Sequence, residues 1–167
     1  MTVGVVVGNP KPKSRTFEAA VKVAELVTGS APEYTLDLVD LGPELLDWAS
    51  EPVRAEVSRV LDLDLVVIAS PTYKASYTGL LKVFLDRFGG GSAGGTVAVP
   101  LMLGGDMRHS LAPEVFLKPV LTEIGFDCPT RGIFLLESSY SDPEQLGAAL
   151  GPAPHQVAGL LRDRHRS

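Results

Sequence analysis

The residues best suited to chemistry lie in three short loops marked by glycine or proline. The first, Gly8-Asn9-Pro10-Lys11-Pro12-Lys13-Ser14-Arg15-Thr16, follows an apolar run and precedes a helical pattern. A helix start presents unpaired backbone N–H groups, which attract an anion. Ser14 and Thr16 add hydroxyl donors, Lys11 adds positive charge, and Arg15 could grip two oxygens of one phosphate. Simple capping accounts equally well for the same residues, with Ser14 as the N-cap and Arg15 on a solvated helix start. The loop lacks both the Walker Gly-Lys-Ser/Thr ending and the Gly-x-Gly-x-x-Gly spacing, which argues against a nucleoside triphosphatase and a dinucleotide fingerprint.

The second loop, Ser70-Pro71-Thr72-Tyr73-Lys74-Ala75-Ser76-Tyr77-Thr78-Gly79, sets a proline-fixed turn, backbone amides and an aromatic ring at the end of a strand. A flat ring system with polar edges suits that surface. The plainer reading is that Tyr73 and Tyr77 cover a sheet edge while Thr78 caps a helix. The third loop, Gly104-Gly105-Asp106-Met107-Arg108-His109, allows close backbone approach because its paired glycines carry no side chains. His109 reads as a solvated or capping residue, and His155 and His165 lie in the tail. Gly89 to Gly95 precedes a strand and reads as a flexible connector, and the acidic and basic residues after Asp142 read as solvated surface.

These loops need elements to hold them. Thr2 to Val7, Asp64 to Ser70 with its run Leu65 to Ile68, and Thr96 to Leu103 read as buried central strands, covered on both faces. Tyr34 to Leu41 and Arg131 to Leu136 complete five strands. Helical spacing marks Thr16 to Val27, Glu51 to Leu61 and Thr78 to Phe88. It also marks Leu111 to Ile124, which Pro119 would kink, and one carboxyl-terminal helix after Asp142 with a frayed basic end. Strands alternating with helices predict a doubly wound α/β fold with a five-stranded parallel sheet and helices on both faces. In the flavodoxin-like order 2-1-3-4-5, the loops after strands one, three and four meet at the topological switch point.

Residues 1–167 are too few for two ordinary domains, so one domain with one site is expected. The net charge is -5 with scattered basic residues, unlike the footprint of a nucleic-acid binder. Cys128 is the only cysteine, which excludes an internal disulfide and multi-cysteine metal sites. The amino terminus does not read as a signal peptide and no apolar run is long enough to span a membrane, so a cytoplasmic, metal-free protein is expected.

Gly8-Asn9-Pro10-Lys11 with Ser14-Arg15-Thr16, and the run Ser70 to Lys82 with Asp86, together resemble the NAD(P)H-dependent FMN reductases. Gly104-Gly105 with His109, Leu117-Lys118-Pro119-Val120-Leu121 and Gly132-Ile133-Phe134 extend the likeness to the branch that serves two-component alkanesulfonate monooxygenases. The resemblance covers roughly Met1 to Asp142. It implies that Asn9, Lys11, Ser14, Arg15 and Thr16 surround the FMN phosphate. It also implies that Pro71, Thr72, Tyr73 and Lys74 contact the ribityl chain and ring, and that Gly104 and Gly105 line the isoalloxazine. Asn9 and Lys11 stand where the family typically has Ser and Arg, which replaces one bidentate grip and implies readier exchange of FMN. Where the branch can carry an inserted Tyr, this chain has Glu114-Val115-Phe116.

The implied reaction is hydride transfer from NAD(P)H to flavin N5, with the protein supplying orientation and electrostatics and no catalytic side chain. Reduced FMN would pass to a partner flavin-dependent monooxygenase, and a homodimer or homotetramer is implied. The rivals are an FMN-bound quinone or azo reductase that retains its flavin, an electron carrier, and a non-enzymatic flavin-binding protein.

Overall fold

The structure is a computed structural model and describes residues 1–164. Five parallel strands form one sheet: β1 (Val3–Val7), β2 (Tyr34–Asp37), β3 (Leu65–Pro71), β4 (Val97–Gly104) and β5 (Ile133–Leu136). Their order is β2-β1-β3-β4-β5, the flavodoxin-like order expected from the sequence. All residues of β1, β3 and β4 are buried, so side chains of both parities need a covering layer.

On one face Val5, Val7 and Val67 pack with α1 (Arg15–Thr28), α5 (Pro143–Leu150) and α6 (Ala153–Arg164). On the other, Val6 and Ile68 pack with α2 (Glu51–Leu61), α3 (Gly79–Leu85) and α4 (Lys118–Ile124). Each fully buried valine or leucine contributes roughly 1.5–3 kcal/mol before ordering entropy is counted. Two apolar layers therefore hold the strand ends in fixed relative positions.

Several elements differ from the sequence expectation. β2 stops at Asp37 because its partner β1 ends at Val7, which pairs with Asp37, and Leu38–Leu46 turns into a 3-10 segment broken at Gly42. α3 ends at Leu85 rather than Phe88. The stretch before α4 is a π-helical turn, Pro113–Leu117, in which Lys118 N–H reaches back to Pro113. Pro119 has no N–H to continue an α pattern there, which suits the wider turn. The carboxyl-terminal helix is two helices, divided where Gly151 takes a left-handed φ of 49° before Pro152. The Gly89 to Gly95 run is tied down rather than free: Gly91 and Ala93 donate to the carbonyls of Glu123 and Ile124. Asp142 caps α5, and His165 to Ser167, the end of the expected basic tail, lie outside the described residues.

Candidate flavin site

The carboxyl ends of β1, β3 and β4 bring the three loops to one sheet edge, beside the switch between β1 and β3. Direct bonds join them. Thr78 Oγ1 donates to the Gly8 carbonyl at 2.6 Å and accepts from Leu81 N–H, so one hydroxyl caps α3 and fastens the second loop to the first. Gly8 permits this approach, since a Cβ there would lie 2.4 Å from Leu81 Cβ. Thr72 N–H donates to the Leu103 carbonyl at 2.6 Å and joins the second loop to the end of β4, from which the third loop leaves.

In the first loop Asn9, Ser14 and Thr16 are buried, while Lys11 and Arg15 are exposed. Asn9 Nδ2 donates to Thr16 Oγ1 at 3.0 Å, and Asn9 Oδ1 accepts from Lys11 N–H at 2.9 Å. Ser14 caps α1 by accepting from Phe17 N–H. Helix geometry leaves the N–H groups of Ser14, Arg15 and Thr16 without intrahelical acceptors. Arg15 lies 3.6 Å from Glu137, beyond the end of β5, in an exposed ion pair worth little to stability. Lys13 holds a left-handed φ of 48°, and its ammonium sits 4.4 Å above the Phe17 ring.

The second loop closes as a four-residue turn: Tyr73 and Ser76 exchange backbone hydrogen bonds of 2.8 and 3.2 Å. Its central residues, Lys74 and Ala75, have φ of 52° and 68°, the conformation of a type I′ turn normally given to Gly or Asn. Pro71 is buried, and Tyr73 is 51% exposed at the rim. Burial raises the Tyr77 phenol above its usual range. Buried Ser70 accepts from Thr78 N–H and donates to the Pro71 carbonyl, which sets the direction of the turn.

In the third loop a Cβ on Gly104 would lie 2.7 Å from the Phe134 ring and 3.2 Å from Thr72 Oγ1, whereas Gly105 faces open space. Asp106 caps the 3-10 turn Met107–His109, and its carboxyl is held low by the Arg108 N–H and guanidinium. Beyond it a cleft of about 450 Å³ opens along β5, lined by Met107, Leu111, Phe134, Gln145 and Ala149 among others. It borders the third loop and lacks residues of the first two.

The residues present fit FMN. The start of α1 offers three amides, two hydroxyl-bearing residues and Arg15 to a phosphate. Thr72 Oγ1 is a buried hydroxyl without a hydrogen-bond partner among the described residues, set against Gly104, where the backbone is bare. Among the described residues no group of three His, Cys, Asp or Glu is placed to hold a metal ion, and no helix is long and apolar enough to cross a membrane. Sequence reasoning missed three supporting residues: Asp37, which accepts from Lys13 N–H; Glu137, which faces Arg15; and Phe134, against Gly104. Their partners lie far away in the chain, so local pattern carries no signal for them.

Residues 1–140 match the sequence profile of the NADPH-dependent FMN reductases. The chain is 32% identical over 146 residues to an FMN reductase (NADPH) of Escherichia coli (strain K12), covering 85% of this chain and 76% of that protein. It is 28% identical over 116 residues to the NADH-dependent FMN reductase SfnF of Pseudomonas fluorescens (strain Pf0-1), covering 65% and 60%. The crystal structure of an NADH:FMN oxidoreductase, EMOB, in its apo form superposes with a TM-score of 0.83 at 28% identity, covering 95% and 89%. With that profile lying over all three loops, the chain belongs to the NADPH-dependent FMN reductase family.

Proposed function

We propose that this chain is an NAD(P)H-dependent FMN reductase that supplies reduced FMN to a partner flavin-dependent monooxygenase. The observation that carries the reading is the family match over residues 1–140, which spans three loops tied together at one sheet edge. The chemistry available with FMN in place is hydride transfer from the nicotinamide to flavin N5. The residues of this chain bind and orient. The amides of Ser14, Arg15 and Thr16 hold the phosphate, with Lys11 and the Arg15 guanidinium adding charge and Asn9 fixing Thr16. Pro71, Thr72, Tyr73 and Lys74 shape the ribityl and ring pocket, and Gly104 and Gly105 line the ring, with open space at Gly105 for its approach.

Lys11 stands where an arginine would make a bidentate grip, and its ammonium has no ion-pair partner among the described residues. A point charge of this kind suits flavin that leaves after reduction. Met107, Leu111, Val115 and Phe116 are exposed apolar residues on and beyond the third loop, and we assign them to contacts between copies in a homodimer or homotetramer. The same reading puts the chain in the cytoplasm, beside the monooxygenase it would supply.

The test is NAD(P)H oxidation in air by the purified protein, with and without added FMN. Turnover that requires added FMN and saturates with it supports the proposal. Turnover by tightly held FMN, with no response to added flavin, points instead to a reductase that retains its flavin. FMN binding without NAD(P)H oxidation overturns both.

A further inference from the structure

We infer that Asp37 is a positioning residue for phosphate recognition: from the end of β2 it holds the Lys13 peptide and keeps the start of α1 in binding geometry. This deepens the proposed function and rests on the assignment of the FMN phosphate to that helix start. The first support is an accounting of donors in the loop. Pro10 and Pro12 have no N–H, Lys11 N–H is taken by Asn9 Oδ1, and Lys13 N–H is taken by Asp37 Oδ2 at 2.9 Å. Of the loop's contacts with the rest of the chain, the bond from Asp37 is the one that falls on the peptide just before Ser14, Arg15 and Thr16. Ala69 and Thr78 bond Gly8 at the loop's other end, and Glu137 pairs with the exposed Arg15 side chain. The Asp37 bond also falls on the loop's left-handed residue, Lys13, a conformation that persists where surrounding structure imposes it.

The second support is that the Asp37 side chain makes no other hydrogen bond or ion pair among the described residues. It is 3% exposed, and among the described residues its Oδ1 has no hydrogen-bond partner and no ion pair includes it. It occupies the N-cap position of the 3-10 segment Leu38–Leu46, yet makes no capping bond to it. A buried carboxyl with an unsatisfied oxygen opposes folding, and burial accordingly pushes this carboxyl above its usual range. Such a group is explained by what its other oxygen holds, which is the phosphate loop.

FMN and riboflavin differ only in the phosphate, so their dissociation constants, read by quenching of flavin fluorescence, separate loop geometry from general damage. Asp37→Ala is expected to weaken FMN about tenfold and leave riboflavin within about twofold of the parent. Asp37→Asn keeps an acceptor for Lys13 N–H and is expected to restore the preference for FMN. Asp37→Ser, small and too short to reach the amide, answers the same question if the alanine variant does not fold. Equal weakening of both flavins, no change in either, or loss of preference in the asparagine variant would each overturn the role of Asp37. A parent protein that binds FMN and riboflavin equally would overturn the phosphate assignment itself.

Discussion

The first loop and the third loop both border the site, but they are held by different means. The first loop is held by side chains: Asn9, Ser14 and Thr16 within it and Asp37 from the end of β2 make polar contacts around the start of α1. In the third loop the missing side chains matter more: Gly104 leaves room for the Phe134 ring and the Thr72 hydroxyl, and Gly105 faces open space. A phosphate needs donors in fixed directions, and polar side chains can hold backbone amides in place. A flat ring needs a surface free of protruding groups. One end of the site is thus built by hydrogen bonds and the other by shape.

That contrast can be broken at the joint between the loops. Gly8→Ala puts a methyl group 2.4 Å from Leu81 Cβ and should lower stability by about 3 kcal/mol, as for overpacking in a core, measured by urea unfolding. Both flavins should then bind poorly, because the joint serves both ends. Gly104→Ala sharpens the contrast from the ring side. It should weaken FMN and riboflavin alike, by about tenfold in a titration, since the phosphate contacts stay intact. Equal affinities to the parent would show that the Gly104 backbone does not face the ring. The smallest effect is expected in the second loop, where Ala75→Gly relieves a left-handed φ of 68° and should stabilise the fold by about 1 kcal/mol in thermal unfolding.

How much of this was legible in the sequence follows from the range of each interaction. β1, β3 and β4 show as continuous apolar runs because both of their faces are covered, a property of the residues themselves. Ser14 and Thr78 are readable as caps because each bonds an amide three residues ahead. The end of β2 depends on where β1 stops, and nothing local to Leu38 marks it. The contact between Asp37 and Lys13 spans 24 residues and that between Thr78 and Gly8 spans 70, so neither is visible before the sheet order is known. The division between α5 and α6 was marked by Gly151-Pro152, a breaker pair within an otherwise helical stretch.

The bond from Thr78 to Gly8 also makes the site a clock for assembly. It joins chain segments 70 residues apart, and closing so long a loop is slower than forming α1 or α3. During refolding, helical signal should therefore rise before the protein can quench flavin fluorescence. The interval between the two signals would time the docking of β3 and α3 against β1.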